Sequence, residues 1–232
     1  MEHPFRLIIF DYDGTLVDSQ GAIVAAMAAG FAVVDLAPPP ASAVRRVVGL
    51  ALDEAIARLL PSEIHADSRL EVCRRIAAAY RSAFLELRTR PDYHEPLFPG
   101  VRETLAALDS PAVCLGIATG KARRGLLASL EHHGLGHHFV TLQTADIGPG
   151  KPHPGMVRRA MAEIGVLPSE TVVVGDTTYD MEMAANARVP ALGVAWGYHD
   201  PADLRASGAR AVIETFAALP SALAALGTTA GR

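Results

Sequence analysis

Short apolar runs recur along the chain, each bounded by polar or turn-forming residues. Runs of this length, without alternation of polar and apolar positions, are typical of strands buried on both faces of a parallel sheet. Five of them stand out, and they occupy residues 7–10, 113–118, 139–142, 172–174 and 191–195. The pattern therefore predicts five buried strands, the first of which lies close to the start of the chain.

Amphipathic helical patterns separate the later runs. They are VRETLAALD, KARRGLLASLEHHG, HPGMVRRAMAEIG and YDMEMAANAR, which begin at residues 101, 121, 153 and 179. Alternation of strands and helices with short connections is typical of α/β proteins in which helices cover both faces of an open parallel sheet. The sequence predicts a doubly wound, Rossmann-like core of this kind.

A long segment of different character separates the first two predicted strands. It has helical patterns over residues 22–36, 41–60 and 68–88, with three prolines between the first two, and it contains no convincing strand. Because the segment is too long for a simple connection, we expect an all-helical subdomain inserted into the α/β core. The expected division is residues 1–16 and 97–226 for the core, 17–96 for the insert and 227–232 for a loose tail.

Composition and charge argue against several classes of protein. Of the 232 residues 50% are hydrophobic, and the formal net charge of −4 provides no basic surface that would indicate nucleic-acid binding. No apolar run reaches the roughly 20 residues needed to cross a bilayer, and the start lacks a secretory pattern. With only two cysteines, the chain suits a reducing compartment. We expect a cytoplasmic protein without nucleic-acid or membrane partners, and the sequence leaves its oligomeric state open.

Polar residues that could carry chemistry follow three of the predicted strands. Asp11 follows the first strand, Thr119 the second and Asp176 a later one. In open α/β sheets, ligands bind beyond the carboxyl ends of the strands. Three distant segments of the chain therefore point to one site at that edge of the sheet.

The first of these segments carries two carboxylates, Asp11 and Asp13, separated by one residue. If the chain is still extended there, both carboxylates point to the same side and Tyr12 points away. Two neighbouring anions at the end of a buried strand repel each other. Either a cation lies beside them or one of them holds a proton.

Other residues complete the chemistry of a phosphoryl-binding site. Asp176 and Asp180 add carboxylates in GDTTYD, and carboxylate oxygens gathered at one edge suit the hard cation Mg²⁺. Lys151 supplies a positive charge from a loop, while Thr119 and Gly120 supply a hydroxyl and a backbone N–H. An ammonium, a hydroxyl, backbone N–H groups and a divalent cation together favour binding of a phosphoryl group.

These motifs and their order resemble those of the haloacid dehalogenase-like hydrolases. That family carries DxDGT, then Ser or Thr after the second strand, then Lys, then GDxxxD. The corresponding stretches here are IIFDYDGTLVDS, GIATGK, GKPHPGM and VVVGDTTYDMEMAANA, in that chain order. The helical insert resembles the mobile cap of the phosphoglycolate phosphatase-like branch, and GVAWGYHDPADLRASGARAVIETFAAL resembles the ending of that branch.

The resemblance implies distinct roles for the first two carboxylates. Asp11 would bind the metal and attack phosphorus, forming an aspartyl-phosphate. Asp13 would protonate the leaving alkoxide and then deprotonate the water that hydrolyses the intermediate. The backbone carbonyl of Asp13, rather than its carboxylate, would be a metal ligand.

The resemblance also implies roles for the residues of the later motifs. Asp176 would bind Mg²⁺ directly, and Asp180 would either hold a metal-bound water or orient Lys151. Thr119, Gly120 and Lys151 would grip the oxygens of the transferring phosphoryl group.

The implied function is Mg²⁺-dependent hydrolysis of a small phosphorylated metabolite. Phosphoglycolate is the first guess for the substrate, by resemblance alone. A sugar-phosphate mutase, a pyrophosphatase or a nucleotidase remain alternatives, and a non-catalytic binding protein is the weakest reading, because every expected catalytic residue type is present. A dehalogenase is disfavoured because that branch lacks the second aspartate, which is Asp13 here.

Overall fold

One parallel sheet organises the protein, whose computed structural model describes residues 4–229. The strand order is β3-β2-β1-β4-β5-β6, and every neighbouring pair runs parallel. The six strands are β1 Leu7–Phe10, β2 Cys114–Thr119, β3 Phe139–Thr144, β4 Thr171–Gly175, β5 Ala191–Val194 and β6 Ala211–Ile213. The prediction of a doubly wound α/β core is confirmed.

β6 is the only one of these strands that the apolar pattern did not predict. It has three residues, occupies the edge of the sheet, and is partly exposed at its first two positions. Its apolar run, AVI, is only three residues long, so hydrophobicity alone does not distinguish it from an apolar stretch of a helix or loop.

Residues 17–96, which we call the helical insert, form four helices. They are α1 Gln20–Ala32, α2 Ala41–Val47, α3 Leu52–Leu59 and α4 Ala66–Thr89. The long helices α1 and α4 pack together around a small apolar core that includes Met27, Phe31 and Ile76.

The helix predicted over residues 41–60 is in fact two helices, so that prediction was wrong. The chain turns between α2 and α3, where Gly49 has φ of +99°. This left-handed conformation is available to glycine and interrupts a right-handed helix. The resulting turn, residues 48–51, reaches the carboxyl edge of the sheet.

Helices cover both faces of the sheet, as the alternation within β1 shows. Ile8 and Phe10 belong to one apolar core, and Leu7 and Ile9 belong to the other. The first core is covered by α5 Val101–Leu108, α6 Arg123–His133 and α10 Leu219–Thr229, and the second by α7 Gly155–Ile164, α8 Thr178–Ala187 and α9 Pro201–Ala206.

The final helix, α10, overlaps the segment predicted as a loose tail. Helix α10 extends to Thr229 and therefore includes the first part of residues 227–232. The remaining part of that segment, residues 230–232, lies outside the described residues. Within residues 4–229, no helix is both long enough and apolar enough to cross a membrane.

Candidate active site

Three buried carboxylates meet at the carboxyl edge of the sheet. Asp11 follows β1, Asp176 follows the adjacent strand β4, and Asp180 lies in the first turn of α8. One oxygen of each carboxylate lies within 4.8 Å of the others. The sheet thus brings together residues that are up to 169 positions apart in the chain (180 − 11).

Lys151 joins this cluster from the loop that precedes α7. Its Nζ atom lies 2.5 Å from Asp11 Oδ1 and 2.6 Å from Asp180 Oδ1, and the side chain is fully buried. Burial alone would lower the pKa of Lys151, but the two carboxylates outweigh it and raise that pKa above the usual range. The ammonium is therefore charged at neutral pH.

The charges of the cluster do not balance when all three carboxylates are ionised. Three ionised carboxylates and one ammonium carry a net charge of −2 (−3 + 1), all in a buried site. Burial, opposed by Lys151 and reinforced by repulsion from Asp180 and Asp176, raises the pKa of Asp11 well above its usual value. Burial and repulsion from Asp180 raise the pKa of Asp176 to about 7. A divalent cation would balance this charge.

The donor set fits a hard divalent cation such as Mg²⁺. Asp11 Oδ2 is buried and has no hydrogen-bond partner among the described residues, so it is available as a ligand or as a nucleophile. Oxygen ligands from Asp11 and Asp176, completed by water, are the kind that Mg²⁺ prefers.

Hydrogen bonds to both oxygens hold Asp176 in place. Thr15 Oγ1 donates to Asp176 Oδ1 over 2.8 Å, and the Tyr198 N–H donates to Oδ2 over 2.8 Å. Gly14 allows this approach, because a Cβ there would lie 2.3 Å from Asp176 Oδ2, and its φ of +96° is strained for other residues. The DxDGT motif therefore shapes the site through its glycine and threonine as well as its acids.

Asp180 is both a capping residue of α8 and a member of the carboxylate cluster. Its Oδ2 accepts hydrogen bonds from the Thr177 N–H, over 3.1 Å, and from Thr177 Oγ1, over 2.6 Å. The Asp180 N–H in turn donates to Thr177 Oγ1 over 3.4 Å, and together with the bond from the Thr177 N–H this forms a capping box at the start of α8. Its other oxygen faces Lys151. The family resemblance implies that Asp180 either holds a metal-bound water or orients Lys151, and this contact favours the second role.

Asp13 has a separate set of partners and is not part of the three-carboxylate cluster. Its Oδ1 accepts a hydrogen bond of 2.6 Å from Ser19 Oγ and one of 2.8 Å from Lys121 Nζ. The repulsion between Asp11 and Asp13 that the sequence suggests is thus relieved by two different lysines, one for each carboxylate.

Lys121 is a site residue that the sequence motifs did not indicate. Its Nζ atom contacts Asp13 and lies 3.5 Å from Glu95 Oε1, and it lies 4.9 Å from the centroid of the Phe84 ring. Glu95 is buried, and its other oxygen accepts a hydrogen bond of 2.8 Å from Ser129. The composition could have pointed to it: of the 21 lysine and arginine residues only two, Lys121 and Lys151, are lysines, and both lie at the site.

Thr119 and Gly120 lie between the cluster and the helical insert. Thr119 is buried, and its Oγ1 accepts a hydrogen bond of 3.1 Å from the Lys121 N–H. A Cβ at Gly120 would lie 2.4 Å from the Leu50 carbonyl oxygen and 2.7 Å from that of Gly49. Glycine at this position therefore allows the turn of residues 48–51 to rest on the core.

A cavity of about 410 Å³ opens between the sheet edge and the insert. Four of the predicted site residues line it, namely Asp11, Asp13, Thr119 and Gly120, whereas Lys151, Asp176 and Asp180 do not line it. On the opposite side its walls come mainly from α1, α2, α4 and the turn of residues 48–51. The cavity gives a ligand direct access to the two carboxylates.

Comparisons with known proteins identify the family of the chain. A family model described as haloacid dehalogenase-like hydrolase matches residues 8–194. The chain is 34% identical over 221 residues to "Probable phosphatase IndB" of Dickeya dadantii (strain 3937), covering 95% of this chain and 94% of the relative. It is 32% identical over 220 residues to "Phosphoglycolate phosphatase" of Pseudomonas putida, covering 92% and 78%.

Solved structures show the same fold. The crystal structure of a predicted phosphoglycolate phosphatase from Haemophilus somnus 129PT superposes with a TM-score of 0.82, covering 94% of this chain and 98% of that one at 24% identity. A hydrolase from Pseudomonas syringae superposes with a TM-score of 0.80 at 25% identity, covering 95% and 99%.

Proposed function

The chain belongs to the haloacid dehalogenase-like hydrolase family, and from this membership and its site we propose that it hydrolyses a phosphomonoester through an aspartyl-phosphate. One observation carries the proposal. Asp11, buried at the floor of the cavity, keeps one carboxylate oxygen without a hydrogen-bond partner among the described residues, while Asp13 next to it is held by a lysine and a serine. A free nucleophile beside a positioned acid is what a two-step phosphoryl transfer requires.

In the first step of the proposed reaction, Asp11 Oδ2 attacks phosphorus and the bond from phosphorus to the ester oxygen breaks. Asp13 donates its proton to the departing alkoxide. In the second step Asp13 takes a proton from water, and the resulting nucleophile releases inorganic phosphate and regenerates the Asp11 carboxylate. Ser19 and Lys121 keep Asp13 oriented throughout. Lys151, Thr119 and the Gly120 N–H stabilise the phosphoryl oxygens.

We propose Mg²⁺ as the cofactor, held by Asp11, Asp176 and the backbone carbonyl of Asp13. When bound, Mg²⁺ neutralises charge on the phosphoryl group and on the carboxylate that approaches it. The chain's own contribution is to fix both oxygens of Asp176 and to offset one negative charge with Lys151.

We propose that residues 17–96 act as a cap over a core formed by residues 1–16 and 97–226. The location of the insert above the cavity supports this division, because a substrate would be enclosed between the two parts. The proposed setting is the cytoplasm, which agrees with two cysteines that do not pair, Cys73 and Cys114. A small phosphorylated metabolite is the proposed partner, and phosphoglycolate is the reference compound, because relatives carry that name.

Release of inorganic phosphate from a panel of phosphate esters tests the proposed function. With MgCl₂ present, we expect stoichiometric phosphate and alcohol from at least one class of ester. A mutase using the same intermediate would return the phosphoryl group to an organic product and release little phosphate. Absence of both hydrolysis and transfer across the panel would contradict an enzymatic role.

Magnesium is expected to stabilise the fold more at alkaline than at acidic pH. The folded-state pKa of Asp176, about 7, lies above its usual value, so folding favours the protonated acid and the apo protein loses stability as pH rises toward 7. Mg²⁺ favours the ionised carboxylates and removes that penalty. Thermal unfolding should show a Mg²⁺-induced rise of several degrees at about pH 8 and a much smaller one at about pH 5.5.

The control for this measurement is Asp176→Asn, in which the Mg²⁺-dependent rise should be lost at both pH values. NaCl at matched ionic strength separates specific binding from screening. An equal rise in the variant and in the unmodified protein would place the cation elsewhere.

Substitution of Lys121 is expected to lower turnover more than substrate binding. Lys121 holds Asp13 at 2.8 Å and is flanked by Glu95, so Lys121→Met leaves Asp13 without its cation and without one of its two hydrogen bonds. We expect kcat to fall roughly 10- to 100-fold, part of what a positioned acid–base group contributes. KM should change less, since the lysine contacts the acid and not the cluster.

Steady-state kinetics checks this expectation. The variants are Lys121→Met and Lys121→Arg, and the control is Arg123→Met, which replaces a neighbouring basic residue in α6. A rise in KM at unchanged kcat would instead assign Lys121 to substrate binding.

A further inference from the structure

The helical insert is already docked on the core in this structure. Arg45 Nη2 donates to the Gly197 carbonyl oxygen over 3.1 Å, and Arg88 Nη1 donates to that of Gly125 over 3.1 Å. On the same surface Tyr179 Oη donates to the Arg46 carbonyl oxygen over 2.9 Å. The cavity of about 410 Å³ is therefore the space that remains with the insert in contact with the core.

This space is large for a substrate whose organic part has only two carbons. Cavities of about 300–1,000 Å³ are the size at which proteins bury drug-sized ligands. A phosphoryl group at Asp11 and Asp13 would fill one end, and the remainder would be left to water in a phosphoglycolate complex. Water against apolar walls is unfavourable, so the volume favours a bulkier ester.

The walls contributed by the insert are predominantly apolar. Ile23 and Met27 of α1, Val47 of α2, and Tyr80 and Phe84 of α4 line the cavity. Four of them are largely withdrawn from solvent, with Tyr80 half-buried. Burying an apolar group of the ligand against these side chains gains free energy in proportion to the area removed from water.

The basic residues that line the cavity are poorly placed to receive a second anionic group. Lys121 pairs with Asp13, Arg88 donates to a backbone carbonyl, and Arg81 lies 3.6 Å from the Asp53 carboxylate. The fourth, Arg124, is exposed. A carboxylate in the cavity, such as that of glycolate, would have to displace a protein partner or stay at the exposed edge.

We infer that the substrate is a phosphate monoester whose alcohol portion is bulky and largely apolar, of the size of an aromatic ring or larger. This inference rests on the proposed phosphatase activity and replaces phosphoglycolate as the expected substrate class. The ring lies between α1, α2, α4 and the turn of residues 48–51, and the phosphoryl group points to the sheet edge.

Comparison of 2-phenylethyl phosphate with ethyl phosphate tests the inference, because the two leaving alcohols are similar in basicity and differ in the ring. With MgCl₂ present, kcat/KM for 2-phenylethyl phosphate should exceed that for ethyl phosphate and for phosphoglycolate by at least about tenfold. Equal values for the two alkyl esters, or a preference for phosphoglycolate, would overturn the inference and leave the phosphatase proposal intact. If none of the three releases phosphate while another ester of the panel does, the inference is overturned; absence of release across the whole panel would contradict the proposed function itself.

A substitution in the cavity wall tests where the ring binds. Val48 lines the cavity from the turn of residues 48–51 and is only half-buried, so Val48→Phe adds bulk there. We expect kcat/KM to fall at least about tenfold for 2-phenylethyl phosphate and about twofold or less for ethyl phosphate. Val33→Phe is the matched control, because Val33 is an exposed insert residue outside the cavity. A preference for the ring that survives Val48→Phe would overturn its placement.

Discussion

Replacement of Asp11 with asparagine should reduce phosphate release by at least about 10⁴-fold, in line with the loss of a nucleophile in other covalent catalysts. The amide nitrogen cannot attack phosphorus, and no other carboxylate takes its place. Asp176 is occupied at both oxygens by hydrogen bonds, and Asp13 is held by Ser19 and Lys121.

The fold of the Asp11→Asn variant should survive, because asparagine has nearly the same volume and removes a carboxylate whose burial raises its pKa. Lys151 keeps its contact with Asp180. The experiment is a single-turnover assay with detection of the phosphorylated protein by mass spectrometry, alongside thermal unfolding. Asp67→Asn, an exposed acid in the first turn of α4, is the control. Substantial remaining turnover would remove Asp11 as the nucleophile.

Replacement of Lys151 with methionine should cost both activity and stability. The variant leaves Asp11 and Asp180 buried without the ammonium that contacts them at 2.5 and 2.6 Å. Loss of one partner from a buried pair costs about 3–5 kcal/mol, or roughly 6–20 °C in Tm for a chain of this size. Activity should fall at least about 10²–10³-fold, because a charge that stabilises the transferring phosphoryl group is gone.

The pH dependence separates this loss from general damage to the fold. The pKa of Lys151 is raised in the folded state, so its contribution is complete below the ordinary lysine pKa and is lost only as pH rises through the folded value. The part of the stability difference that comes from the Lys151 charge should therefore shrink only in strong alkali. Arg58→Met, which breaks an exposed pair with Glu54, should change stability by less than about 1 kcal/mol. A variant as stable and active as the parent would contradict the assigned role.

The sheet and the acidic motifs are predictable because their signals are local. Each inner strand is a continuous apolar run, and Asp11 and Asp176 directly follow such runs. Parallel strands place their carboxyl ends at one edge, so strand assignment alone predicts that these acids converge. The roles of the individual acids came from family resemblance and remain proposals.

The contacts of Lys121 were not predictable from local patterns. Its partner Asp13 is 108 positions away in the chain, and Glu95 is 26 positions away in the segment that leads back from the insert to the core. Residues this far apart are not neighbours on one helix or one strand, so only the packing of the insert on the core brings the three groups together. The break at Gly49 was missed for a related reason, because the apolar pattern continues through it while the backbone does not.

Because the protein has only two lysines, chemical labelling of lysine can report on opening of the active site. The surface basic residues are arginines, and the two lysine side chains are 10% and 0% exposed. An amine-reactive reagent added to the folded protein thus meets no well-exposed lysine side chain. If the insert swings away from the core, Lys121 becomes accessible before Lys151, which stays beneath the carboxylates. The rate of acylation at Lys121, followed by peptide mass analysis, then measures how often the enzyme opens, without any engineered label.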